Sequence, residues 1–322
     1  MQEPQLERVK ERPGHYRFAK RKEGQMTDQL PIWKFDEDGD YSSVKTAHIG
    51  PLPAGLYRAF INTEDQLYFT PKKPNSDTLI DLPGLPIGYV LEQIESFWSK
   101  AEEYKKFGFL QKRGIMFYGP PGGGKSSIVG LLLRQLTRLD GVCFVADNFS
   151  VLSESIARFR KVEVNRPIMT LVEDIETNFE SSNGSNFAQN ERAALALYDG
   201  EQQVNNIVHV ATTNKPELIA DRFIRRPGRF DLVIGIHAPT REAREAYLKT
   251  ICNEHLTAKQ LSDIVNQTEG LSLAYLREIA STYLVLGLPL DETIKRLQDQ
   301  SKKKFSNKTG FTVGYTAPKQ EY

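Results

Sequence analysis

Residues 119–126, GPPGGGKS, constrain this 322-residue chain more than any other stretch. They satisfy G-x-x-x-x-G-K-[ST], follow an apolar run at residues 115–118 and precede a helical pattern over residues 127–136. A strand, a glycine turn and a helix in that order are what a phosphate cradle requires. Glycine allows backbone N–H groups to converge on oxygen where a Cβ would collide, and the helix N-terminus adds favourable dipole for an anion. Gly119, Pro120, Pro121, Gly122, Gly123, Gly124, Lys125, Ser126 and Ser127 are therefore the candidate contact residues for a nucleotide. Lys125 would reach the β and γ phosphates, and the Ser126 hydroxyl would ligate Mg²⁺.

Strand-like runs alternate with helical ones after this motif's own strand at residues 114–118: strands at 142–146, 168–172, 207–212 and 232–236, with helices between. That alternation predicts an α/β domain with a largely parallel sheet. Upstream, residues 89–107 read as a helix, with Val90, Ile94, Phe97, Trp98, Ala101 and Tyr104 near a 3.6 period. Downstream, residues 241–253, 259–268, 273–286 and 291–305 read as the helices of a small lid. Before residue 82 the pieces 32–35, 55–62, 66–70 and 78–82 are short and β-rich, and DLPGLPIG at 81–88 reads as a linker. The expected division is a β-rich N-terminal domain at 1–82, an α/β nucleotide domain at 83–238, a helical lid at 239–305 and a mobile tail at 306–322.

Three further segments carry chemistry. PIMTLVEDIE, residues 167–176, is an apolar strand ending in the adjacent carboxylates Glu173 and Asp174. One can hold Mg²⁺ while the other polarises an attacking water. The strand ending ATTN places the Asn214 amide where it can orient that water. RFIRRPGRFD, residues 222–231, brings four arginines around a Pro-Gly turn, and guanidinium groups can stabilise charge on a transferred phosphoryl group. The five histidines have no metal-ligand spacing, and His209 reads as a strand residue.

Taken together the four segments resemble the AAA+ ATPase family over roughly residues 82–286. Within it they look most like the branch of the mitochondrial membrane-bound chaperone that inserts the Rieske iron–sulfur protein. SFWSKAEEYKKFGFLQKRGIMFYGPPGGGKSS at 96–127, LVEDIE, ALYDG at 196–200, ATTNKPE, RRPGRFD and GLSLAYL at 270–276 carry the resemblance. It implies that GPPGGGKS is the Walker A motif, Glu173 and Asp174 the Walker B pair, Asn214 sensor 1, and Arg226 and Arg229 the arginine fingers. Ser126 and Glu173 would hold the metal. The implied fold is a five-stranded parallel sheet of order 5-1-4-3-2 with a helical lid, and the implied assembly a ring of six or seven.

The chain departs from the family in places. Glu173 precedes Asp174 where most members have Asp then Glu, an order the named branch shares. Ser272-Leu273-Ala274 stands where much of the family has Ser-Gly-Ala, and the usual sensor 2 arginine is missing; Arg277, one helical turn away, would serve only with that helix rotated. No aromatic-apolar-glycine pore loop is evident, although Phe149 or Val151 and Leu152 fall in that region.

Composition bounds the rest. Hydrophobic residues are 39% and charged residues 26%, a globular balance, and a net charge of +1 gives no global pull toward nucleic acid or anionic membrane. Two cysteines, Cys143 and Cys252, form no C-x-x-C, no apolar run approaches a membrane span, and the N-terminus has no apolar leader core, so the expectation is a cytoplasmic protein. The expected activity is Mg²⁺-dependent ATP hydrolysis by a ring that remodels a protein recognised by residues 1–82. Two alternatives stand beside it. One is a nucleic-acid motor, supported by Lys302, Lys303, Lys304 and Lys308; the other is a nucleotide-gated scaffold, motivated by the reversed acidic pair.

Overall fold

The computed structural model describes residues 33–35, 41–43, 50–63, 65–73, 82–84, 86–180, 185–199, 204–219 and 228–302. Its strands are β1 Trp33–Phe35, β2 Tyr41–Ser43, β3 Gly55–Ile61, β4 Leu67–Pro71, β5 Lys112–Tyr118, β6 Val142–Val145, β7 Ile168–Val172, β8 Ile207–Thr213 and β9 Leu232–Gly235. They form one sheet in the order β1-β2-β4-β3-β6-β7-β8-β5-β9. The phosphate-loop strand β5 lies between β8 and β9, parallel to both, and β6, β7 and β8 pair in parallel beyond it.

Successive side chains on these strands point to opposite faces, and both faces are covered. On β5, Ile115 and Phe117 join one core layer, with Ile94 and Phe97 of α1 (Ile87–Ser99) and Ile128 and Leu132 of α3 (Lys125–Arg138). Met116, between them in sequence, joins the other layer, with Phe149, Leu152 and Phe159 of α4 (Phe149–Val162) and Tyr198 of α6 (Ser185–Asp199). The short helices α2 (Ala101–Lys106) and α5 (Thr177–Glu180) lie between larger elements.

After β9 the chain is helical: α7 Arg241–Cys252, α8 Ala258–Gln267, α9 Leu273–Leu284 and α10 Leu290–Lys302. Thr240 caps α7, and Thr257 with Gln260 forms a capping box on α8. These helices enclose their own core of Leu248, Ile264, Val265, Ile279, Ile294 and Leu297.

Three expectations are corrected. The five strands β5–β9 do form the parallel core, but the sheet is not five-stranded. The β-rich N-terminal segment does not form a sheet of its own: β3 adds in parallel to β6, with Gly55 opposite Val142 and Arg58 opposite Val145, and β4 follows antiparallel to β3. Side chains fasten this addition. Arg58 donates twice to the Asp147 carboxylate at 2.7 and 2.9 Å, Arg158 pairs with Asp65, and the Leu52 N–H donates to Glu163. The helix expected at 89–107 is two helices, broken at Lys100, where φ is −101° and ψ 27°. The strand expected at 78–82 lies outside the described residues except for Leu82, and the lysine-rich tail beyond Lys302 lies wholly outside them. Among the described residues, no helix is long and apolar enough to cross a membrane.

Candidate nucleotide site

Glycines in the left-handed region at 119, 122 and 124 shape the loop between β5 and α3. Gly119 has φ 146°, and a Cβ there would lie 2.0 Å from the Ile236 carbonyl oxygen. Gly122, at φ 73°, would place a Cβ 2.7 Å from the Ala274 Cβ and 2.8 Å from the Ser272 hydroxyl. The loop therefore touches the lid directly, and the Ala274 N–H donates to the Gly122 carbonyl at 3.2 Å. Gly124 ends the turn in the left-handed region at φ 105°, its carbonyl accepts the N–H groups of Ser127 at 3.0 Å and Ile128 at 3.1 Å, and the N–H groups of Lys125 and Ser126 precede any intrahelical acceptor.

Lys125 is buried and fully engaged. Its ammonium donates to the carbonyls of Gly119 at 2.7 Å and Pro120 at 3.0 Å, and to Oδ1 of Asn214 at 2.7 Å. Burial pulls its pKa below the usual lysine value, while the neighbouring carboxylates Asp174 and Glu176 pull it back up. Asn214, just past β8, turns its amide Nδ2 to Asp174 Oδ1 at 2.7 Å. Lysine, asparagine and aspartate thus form one continuous hydrogen-bonded chain across the cleft.

The acidic pair sits just past the carboxyl end of β7. The Asp174 N–H donates to the Thr212 hydroxyl at 3.1 Å, and Asp174 itself has φ 45°. Short Asp and Asn side chains adopt that left-handed backbone more readily than longer ones. The reversal at this turn sends the two carboxylates apart, Asp174 toward Asn214, with Glu173 on the wall toward β6. The Glu-then-Asp order thus has a local backbone reason.

The cleft has a volume of about 610 Å³, lined by Gly122, Gly124, Lys125, Ser126, Ser127, Glu173, Asp174, Thr212 and Asn214 from the α/β layer. Tyr247, Ile251, Leu273, Ala274, Arg277, Glu278 and Ser281 close it from the lid. Ser126 and Glu173, the expected metal ligands, lie on this one surface. Hydroxyl and carboxylate oxygens beside a glycine cradle are the hard-donor set that suits Mg²⁺ on a phosphate chain.

Some expected residues stand elsewhere. Arg226 lies outside the described residues. Arg229 is described, but it is buried at 4% exposure and does not line the cleft, and its carbonyl fills the space a Cβ on Gly114 would need, 1.6 Å away. Arg277, expected to face away without a helix rotation, lines the cleft, because α9 puts residues 273, 274, 277, 278 and 281 on one face. Phe149 and Leu152 are each 1% exposed, packed in the core rather than on a pore.

Glu176 escaped the sequence reading. It is 3% exposed, and its Oε1 accepts the Asn214 N–H at 3.0 Å, fixing the turn that carries Asn214, while its Oε2 is buried with no hydrogen-bond partner in the structure. Its signal was an acidic residue placed immediately after an apolar one, Ile175, in a turn that must fold back under the sheet.

Comparison with known proteins bears on this geometry. Residues 115–238 match the family described as ATPase family associated with various cellular activities (AAA). ATP-dependent zinc metalloprotease FtsH 2 of Thermoanaerobacter sp. (strain X514) is 30% identical over 208 residues, covering 62% of this chain and 41% of that protein. The proteasome-activating nucleotidase of Methanosphaerula palustris is 27% identical over 236 residues, 69% of this chain and 57% of its own length. The cell division cycle protein 48 homolog of Archaeoglobus fulgidus is 26% identical over 251 residues, 72% of this chain and 34% of its own. The chain thus spans between about a third and three fifths of the length of these relatives.

Proposed function

We propose that the cleft between the α/β layer and the lid binds and hydrolyses Mg²⁺-ATP, and that the chain works in a ring that couples turnover to remodelling of a protein or protein complex. The observation that carries the reading is the chain Lys125–Asn214–Asp174, which joins a phosphate ligand, a water-orienting amide and a general base in one geometry. Arrival of the γ phosphate gives Lys125 an acceptor stronger than the Asn214 amide. Asn214 is then released to hold the attacking water against Asp174, which takes a proton from the water as the new O–P bond to the γ phosphorus forms and the bond from that phosphorus to the β–γ bridging oxygen breaks, releasing ADP. Ser126 and Glu173 would hold Mg²⁺, which supplies charge compensation for the phosphate oxygens. Arg277 reaches the same space from the lid and would report closure of that domain on the nucleotide.

Arginines of the 222–229 segment are proposed to complete the site of a neighbouring subunit. The burial of Arg229 favours a role in holding that segment against β5, leaving Arg226 as the finger. The likeness to the Rieske-protein-inserting branch and the six- or seven-fold ring rest on the sequence resemblance, and a cytoplasmic setting rests on composition alone. The core packing of Phe149 and Leu152 supports a remodelling mode that does not grip substrate through an aromatic loop at this position.

The test is Mg²⁺-dependent ATP hydrolysis measured with particle size on the same sample, with Lys125→Ala as control. Turnover per chain that rises with assembly is the expected result. Assembly with turnover no higher than in Asp174→Ala would replace this reading with the nucleotide-gated scaffold.

A further inference from the structure

A second cleft, of about 560 Å³, opens on the other side of Glu173. It exists because β3 and β4 extend the sheet. The register sets Thr70, Arg58 and Val145 side by side across β4, β3 and β6, and all three line it. Lys72, Asp147 and Glu173 supply its remaining charges. The carboxyl ends of parallel strands are where open α/β sheets take ligands, and β6 and β7 both end here.

Its electrostatics depend on its neighbour. Among the described lining residues there are two cations, Arg58 and Lys72, and two anions, Asp147 and Glu173. Arg58 and Asp147 neutralise each other through their paired hydrogen bonds. That leaves Lys72, exposed beyond β4, and Glu173 as the other two charges on the cleft wall. Burial raises the pKa of the Cys143 thiol of β6 most, Glu173 raises it further and Lys72 lowers it, so both charges act on one stretch of sheet. Glu173 is also a wall of the nucleotide cleft. Mg²⁺ held by Glu173 on that side would compensate its charge and leave the second cleft with one net positive charge.

We infer that the cleft between β4 and the end of β7 is a recognition site for an acidic peptide segment, opened to its ligand by nucleotide loading through Glu173. This rests on the nucleotide reading above. A carboxylate side chain of the ligand would meet Lys72 and the outer edge of the Arg58 guanidinium. Linkage makes the coupling reciprocal: the acidic segment would tighten nucleotide binding by the factor by which nucleotide tightens the segment.

The experiment measures fluorescence anisotropy of fluorescein-labelled hexaglutamate on the full chain, without nucleotide and with saturating Mg²⁺-AMP-PNP. Nucleotide binding is followed separately with a fluorescent AMP-PNP. The expected result is peptide affinity at least about fivefold tighter in the loaded protein, the lower end of usual coupling factors. Lys72→Glu should abolish that binding and leave AMP-PNP affinity unchanged. Glu173→Gln removes the charge permanently, so it should bind hexaglutamate without nucleotide as tightly as the loaded parent does. Loaded protein that takes up AMP-PNP but shows no Lys72-dependent peptide binding overturns the inference and leaves the ATPase reading standing. Failure to bind AMP-PNP at all overturns the ATPase reading, while Glu173→Gln still reports on the cleft. An oligothymidylate of equal charge binding as well as the peptide, with the same dependence on Lys72, overturns the assignment to a peptide.

Discussion

Nζ of Lys125 donates to Oδ1 of Asn214 across the mouth of the nucleotide cleft at 2.7 Å. In the proposed mechanism the lysine that meets the phosphate is held by the amide that orients the water. Nucleotide binding and activation of the hydrolytic water would then compete for one side chain, and variants on this chain should separate the two.

Asn214→Ala should lower kcat by roughly 100-fold, the cost of removing one positioned polar group from the reacting centre, with ATP affinity kept or improved because Lys125 loses a competing acceptor. Steady-state kinetics beside equilibrium nucleotide binding checks this. A fall in affinity matching the fall in kcat would contradict it.

The acidic pair should divide its work. Asp174→Asn is expected to bind Mg²⁺-ATP and turn it over at least about 100-fold more slowly. Glu173→Gln should instead raise the Mg²⁺ concentration needed for half-maximal rate. Metal titrations of the two variants distinguish the roles, and the reverse pattern would exchange them.

Gly122→Ala should prise lid from loop. The added methyl meets Ala274 and Ser272 below 3.0 Å, on a backbone with φ 73° that alanine resists. Faster amide exchange in the first turn of α9 and weaker nucleotide binding are expected, with the midpoint of thermal unfolding lowered only modestly because the sheet core is untouched.

Stability should fall in mild acid through His209. This imidazole is buried on β8, Thr170 Oγ1 lies 2.8 Å from its Nδ1, and burial first, with the Lys112 charge second, depresses its pKa from 6.5 to about 3. Below pH 6.5 the unfolded chain takes up a proton that the folded chain refuses until about pH 3, so stability declines across that window as pH falls. Thermal midpoints at pH 7 and pH 5 measure it, and His209→Gln should show a smaller drop than the parent.

What the sequence disclosed was whatever is written in adjacent residues. The phosphate loop needs glycines, a lysine and a serine within eight positions, and the reading of Lys125, Glu173, Asp174 and Asn214 as one cluster follows from strands that all end at the same sheet edge. Partnerships between distant strands left no such trace. Nothing in the alternation of residues 55–61 states that their edge partner is β6, so the segment looked like a domain of its own. Arg277 depended on the rotation of α9, which Leu276, Ile279 and Ala280 fix by turning into the lid cores. Nothing adjacent to Glu176 in the sequence states that the turn after β7 brings its carboxylate to the Asn214 N–H.

The attachment of β3 to β6 also orders events during synthesis. Gly55 emerges from the ribosome long before Val142, its partner in the sheet, and β6 must follow the whole phosphate loop and α3. The β3–β4 hairpin must therefore wait, its apolar Leu56, Tyr57, Leu67 and Phe69 without their final cover, until the nucleotide core is made. Long-range parallel pairing of this kind is slow to form and exposed to misassociation. A nascent chain of this design has reason to engage a folding helper at its N-terminal third, and truncations ending before residue 142 should be the ones that aggregate.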